Sequence, residues 1–105
     1  MVQPGTIEIA QQLEGATLAL RLEGRLDSNT ADELTLALEA HDIAALEALV
    51  LDMEGVDFIS SKGIRVLVAA KKQLSEGAPL RILNANNAVR EVLRLSGLEK
   101  VFDIV

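Results

Sequence analysis

Two adjacent serines, Ser60 and Ser61, are the residues of this sequence best placed for chemistry. They follow Asp57, Phe58 and Ile59 and precede a run that carries Ile64, Leu67, Val68 and Leu74 at helical spacing. One of the two, Ser60 or Ser61, therefore caps a helix. A hydroxyl at that point stands beside unpaired N–H groups at the positive end of a helix dipole, where a phosphate can be added with little cost to the fold. The plainer role is that of an ordinary N-cap, which is what most serines at such positions do. Residue types and spacing alone reach no further than an α/β domain with a capped helix.

Other chemistries find less support. A hydrolytic triad needs a nucleophile, a base and an orienting acid, but the single histidine, His41, falls at a helix end in an Asp-bearing loop and no G-x-S-x-G occurs. The segment GVDFISSKG, residues 55 to 63, resembles a phosphate loop but lacks the second Gly of that motif and its Gly-Lys-Ser/Thr order. Asp52 at a strand end resembles the acceptor of a receiver domain, yet TIEIAQQ in the first strand offers no acidic pair to hold magnesium. The acids are scattered without calcium-loop spacing, and the absence of cysteine excludes thiolate zinc sites. No enzymatic activity, cofactor or metal is expected.

The elements that must position the serines follow from the hydrophobic pattern. Residues 6 to 10 and 17 to 22 alternate as strands, with a turn over 11 to 15 between them, and predict a hairpin ended by Gly24. The loop from Arg25 to Thr30 is rich in cap-forming side chains. Asn29 or Thr30 caps a first helix with Asp32 and Glu33 in its first turn and Leu34, Ala37 and Leu38 as its stripe. Leu49 to Leu51 reads as a buried central strand. Asp52, Glu54, Gly55 and Asp57 read as an acidic turn, and Phe58 and Ile59 as a return to the core. The second helix runs to about Ser75, with Gly77 at C′ and Pro79 as a stop. Leu80 to Leu83 is a short strand, and Asn84 to Asn87 caps a third helix with Val89, Val92 and Leu93 inward. Gly97 and Leu98 suit a Schellman ending, and residues 101 to 105 read as a last edge strand. Alternation of strand and helix implies a mostly parallel sheet, so the loops around Asp27 and Ser61 fall at the same end of it.

Composition narrows the partners. The 105 residues predict one domain, and half are hydrophobic with only Phe58 and Phe102 aromatic, a poor set for stacking bases. The net charge of −6 also argues against nucleic acid. That charge is uneven: residues 1 to 57 hold 12 acids and 2 bases, and residues 58 to 105 hold 4 acids and 8 bases. The two signs could orient a partner, or could be no more than solvated faces. With no basic n-region, no apolar h-region and no membrane-length apolar run, the expectation is a soluble, cytoplasmic protein that does not insert in membranes.

Three stretches together resemble a known family: GRLDSNTADEL at 24 to 34, LVLDMEGVDFISSKGIRVL at 49 to 67, and VREVLRLSGLEKVF at 89 to 102. In this order and spacing the sequence is similar, over nearly its whole length, to STAS domains, the fold shared by anti-sigma factor antagonists and the cytoplasmic tails of sulphate transporters. The resemblance implies a single STAS domain over residues 1 to 105. Its sheet is mixed and mostly parallel, with an N-terminal β-hairpin and helices packed upon it. In antagonists of this family a serine of the second motif is phosphorylated by a kinase that is itself the anti-sigma factor. The unphosphorylated antagonist binds that kinase and frees the sigma factor, and a PP2C-type phosphatase resets the switch. Alignment on Phe58 and Gly63 places the acceptor on Ser61, with Ser60 the runner-up. Partner contacts then fall on Asp27, Ser28 and Asn29 of the first loop and on Asp57, Ile59, Ser60, Lys62, Gly63 and Arg65 around the acceptor. The chain departs from the family at three places: Ser60 stands where Asp is usual, Lys62 where a small residue is common, and Arg65 where Gly is common. The two bases should stabilise a phosphate on Ser61. The alternative function is a constitutive STAS subunit of a transporter or lipid-trafficking complex.

Overall fold

The computed structural model describes residues 7–105, so Thr6, the first residue of the expected opening strand, lies outside the described residues. The elements are β1 (Ile7–Glu14), β2 (Thr17–Leu26), α1 (Ala31–Glu39), a 3₁₀ turn (Ile43–Ala45), β3 (Ala48–Ile59), α2 (Ser61–Gln73), β4 (Leu80–Leu83), α3 (Asn87–Leu95) and β5 (Asp103–Ile104). One sheet holds the strands in the order β1-β2-β3-β4-β5, with β1 antiparallel to β2 and all later pairs parallel. The fold is thus the mixed α/β arrangement with an N-terminal hairpin that the alternation predicts.

The helices cover one face of the sheet. Leu18, Leu20 and Leu22 of β2, Leu49, Leu51 and Met53 of β3, and Leu80 and Ile82 of β4 all lie on that face and are buried. Leu34 and Leu38 of α1, Leu67 and Ala70 of α2, and Val89 and Leu93 of α3 are buried in the same core. The opposite face carries Arg21 and Arg81, which are exposed, and Ala19, Val50 and Asp52, which are half-buried. On α2 the buried stripe is Gly63, Leu67 and Ala70, continued by Leu74 at the C-cap, while the expected Ile64 and Val68 flank it half-buried.

Several boundaries differ from the sequence reading, each for a physical reason. Residues 11 to 14 continue β1, and the turn shrinks to Gly15 and Ala16, with Gly15 at a φ of +58°. Likewise β2 does not stop at Gly24. The glycine, at φ +123°, sits among shifts in the β2–β3 register and lets the strand continue to Leu26. The acidic stretch is not a turn either. β3 runs through it to Ile59, with Asp52 and Glu54 on the opposite side from Leu51 and Met53. An irregularity near Gly55 then changes the alternation. It buries Val56 and Ile59, and it leaves Phe58 exposed rather than returned to the core. A Cβ at Gly55 would lie 2.9 Å from the Glu23 side chain, so only glycine lets the strands come this close.

At the C-terminal side, α2 ends at Gln73, and Gly77 belongs to a separate turn closed by the Ala78 N–H donating to the Ser75 carbonyl. α3 ends as expected in a Schellman motif: the Leu98 N–H reaches the Leu93 carbonyl at 2.9 Å and the Gly97 N–H the Arg94 carbonyl at 3.0 Å. The last strand is shorter than residues 101 to 105: Asp103 and Ile104 stand in register with β4, and the Val105 N–H adds a bond to the Ile82 carbonyl. Phe102 instead packs into the core.

Candidate functional site

β2 and β3 run parallel and end side by side, Leu26 opposite Ile59. The Ser60 N–H donates to the Leu26 carbonyl at 2.8 Å, one last sheet bond before the two chains diverge into their helices. That bond holds Ser60 extended, with ψ at 171°, and so sets where α2 can begin. Ser60 is the N-cap: its Oγ accepts the Gly63 N–H at 3.1 Å, and its carbonyl accepts the Ile64 N–H. Ser61 occupies the first helical position and is exposed, its hydroxyl not used in the cap. The two candidates thus separate: one hydroxyl is occupied by the backbone, the other faces solvent.

The neighbouring loop is built differently. Asp27 Oδ1 accepts the N–H of Asn29 at 2.9 Å and of Thr30 at 3.1 Å, while the Asp27 N–H donates to Thr30 Oγ1 at 2.9 Å. The Thr30 hydroxyl donates to the Arg25 carbonyl, which explains how a fully buried threonine is satisfied. Thr30 is the N-cap residue of α1 by position, but its side chain does not bond the helix N–H groups. Partial burial pushes the Asp27 pKa up. The two backbone N–H donors, the Thr30 hydroxyl and the Arg25 guanidinium outweigh this and hold the carboxyl below its ordinary value.

Lys62 joins the two loops. Its Nζ lies 3.1 Å from Asp32 Oδ1 on α1 and 3.3 Å from the Ser28 carbonyl. Gly63 is buried where α2 crosses β2. A Cβ there would come within 2.9 Å of both the Leu26 side chain and the Leu26 carbonyl oxygen. Ile59 and Gly63, expected among the partner-contacting residues, are buried and lie beneath the loop. Ser28, Asn29, Asp57 and Arg65 are exposed, Asp27, Ser60 and Lys62 half-buried, and all lie on or beside the two loops.

Sequence reasoning missed a pair at this rim. Arg25 lies with its guanidinium carbon 4.5 Å from the centroid of the Phe58 ring, and its Nε is 3.6 Å from Asp27 Oδ2. Phe58 is 41% exposed, a large aromatic surface beside the serines. The available signal was the change of alternation after Gly55, which places Phe58 on the outer side.

The third strand-to-helix loop closes the same end. Asn86 Oδ1 caps α3 by accepting the Val89 N–H at 2.8 Å, and its Nδ2 donates to the Val56 carbonyl of β3. Among the described residues no group of three or more histidine, aspartate or glutamate side chains could hold a metal ion, and no helix is long and apolar enough to cross a membrane.

Comparison with known proteins places this arrangement. The family model described as "STAS domain" matches residues 8–105. The chain is 28% identical over 100 residues to the anti-sigma F factor antagonist of Paenibacillus polymyxa, covering 93% of this chain and 86% of that one. It is 26% identical over 102 residues to the anti-sigma-F factor antagonist RsfB of Mycobacterium tuberculosis, covering 97% and 84%. The crystal structure of an anti-sigma factor antagonist from Mycobacterium paratuberculosis superposes with a TM-score of 0.84 at 26% identity, over 99% of this chain and 89% of that one. The paired loops at the ends of β2 and β3, the serine-capped helix and the match over residues 8–105 carry one conclusion: the chain belongs to the STAS domain family.

Proposed function

We propose that this chain is an anti-sigma factor antagonist, a binding module whose docking surface is switched by phosphate on Ser61. The observation that carries the reading is the division of labour between the two serines. Ser60 is spent on the helix cap, whereas Ser61 offers an exposed hydroxyl at the same helix end. The relatives named as antagonists, aligned over nearly the full chain, supply the class of partner.

In this reading the unphosphorylated protein binds an anti-sigma factor that is also an ATP-dependent serine kinase, and so releases a sigma factor. The kinase meets Asp27, Ser28 and Asn29 of one loop and Asp57, Ser60, Lys62 and Arg65 around the acceptor. Phosphate adds about −1.5 to −2 charge at neutral pH. The first turn of α2 contains no acid, and Lys62 and Arg65 follow, so the domain itself accommodates the charge. A docked partner instead meets bulk and repulsion. A PP2C-type phosphatase then restores the free hydroxyl. The domain contributes no catalysis and takes no cofactor.

The test is incubation with the cognate anti-sigma kinase and ATP, followed by mass spectrometry of the modified peptide. Phosphate is expected on Ser61. Phosphate on Ser60 alone would remove the division of labour on which the proposal rests. Loss of the kinase from the complex on adding ATP separates this function from that of a constitutive subunit, which would stay bound.

A further inference from the structure

The outer edge of β1 has no partner among the described residues. It is eight residues long, and only the charges of Glu8 and Glu14 blunt it: there is no proline, no lysine and no break in its register with β2. The turn of two residues makes Glu14 and Thr17 the hydrogen-bonded closing pair. The even-numbered residues therefore use their backbone groups on β2, and Ile7, Ile9, Gln11 and Leu13 point their N–H and C=O groups outward. Leu13 is also 53% exposed on the side of the sheet that faces the helices.

We infer that β1 pairs antiparallel with β1 of a second copy of this chain, across a twofold axis at Ala10. Residues directly opposite in a sheet project to the same side, so only registers that pair odd with odd numbers are open. Two of these overlap most of the strand. An axis at Gln11 sets Glu8 against Glu14 of the second copy, a like-charge pair. An axis at Ala10 sets Ile7 against Leu13, Ile9 against Gln11 and Glu8 against Gln12, with no like charges, and covers the exposed Leu13. The strand is thus self-complementary in one register. The contact is short and formed largely by backbone, so the dimer is a weak one that forms at high concentration.

Sedimentation equilibrium of the full chain from about 10 μM to about 1 mM is the first test. The mass should rise from 11.3 kDa toward twice that value. Leu13→Lys should hold it at the monomer, as should Gln11→Pro, which removes an outward N–H and also the Gln11 side-chain bond to His41. Unchanged circular dichroism shows that each variant is folded, and Leu13→Lys decides alone if the proline variant is not. The register has its own test, because the chain has no native cysteine. A non-hydrogen-bonded pair at the axis brings the two Cα atoms to about 4.5 Å, within disulfide reach. Ala10→Cys should therefore oxidise to a covalent dimer about tenfold faster than Gln12→Cys under the same mild oxidant. A wild-type mass fixed at the monomer over the whole range, or equal cross-linking of the two cysteine variants, overturns the proposal.

Discussion

The loops after β2 and β3 occupy equivalent places and are built on opposite principles. In the first, Asp27 is a charged acceptor already engaged by two backbone N–H groups and a nearby guanidinium. In the second, the acceptor is a neutral serine, the first helical turn carries no acid, and the next serine has its hydroxyl in solvent. One loop is closed and carries its negative charge permanently. The other is open, with Lys62 and Arg65 near the exposed hydroxyl to which the proposed function assigns the phosphate. A phosphate would crowd the first but fits the second, which is the physical reason the proposed switch is assigned to the second loop.

Ways to break this contrast can be ranked by size. Phosphorylation of Ser61, or Ser61→Glu, should weaken kinase binding by up to about 10³-fold, near 4 kcal/mol. Ser61→Ala should bind constitutively, and calorimetric titration of the three forms checks both. Next comes the floor of the second loop. Gly63→Ala forces a methyl against the Leu26 side chain and carbonyl and should cost about 1–3 kcal/mol in urea unfolding. A smaller effect separates the serines. Ser60→Ala should lose about 1 kcal/mol as a lost N-cap, and Ser61→Ala should stay within about 0.5 kcal/mol of wild type.

The smallest effect lies in the first loop. The folded-state pKa of Asp27 is lowered from its ordinary value of 3.8, so its contribution is full above that value and is lost as pH falls through the lower folded one. Asp27→Asn keeps the acceptor oxygen but not the charge. The stability gap between wild type and this variant should be constant at neutral pH and shrink below about pH 4, as urea titrations across the acid range would show. A gap unchanged into acid would mean that the charge is not what holds this loop.

Much of this architecture is legible in the chain because its signals are local. The alternation in TLALRL, the short apolar run of LRIL and the Gly97-Leu98 ending each depend on neighbours in sequence, and each is realised. Two of the misreadings share one cause. Gly24 and Gly55 have the composition of turns, but each sits inside a long strand where neighbouring strands supply the missing hydrogen bonds and the register absorbs the irregularity. Local residue types cannot show that, because the pairing partner lies some 30 residues away in the chain, at Glu23 for Gly55.

By itself the sequence determined that a serine-headed helix follows a central strand, since hydroxyl caps and helical spacing are properties of adjacent residues. Which hydroxyl is spent and which is offered was settled only in three dimensions. The sheet bond from the Ser60 N–H to the Leu26 carbonyl fixes the start of α2 and thereby turns Ser61 outward. The same packing set Phe58 under Arg25 at the rim, because an irregularity between strands, not a motif within one, decides which side of β3 faces water.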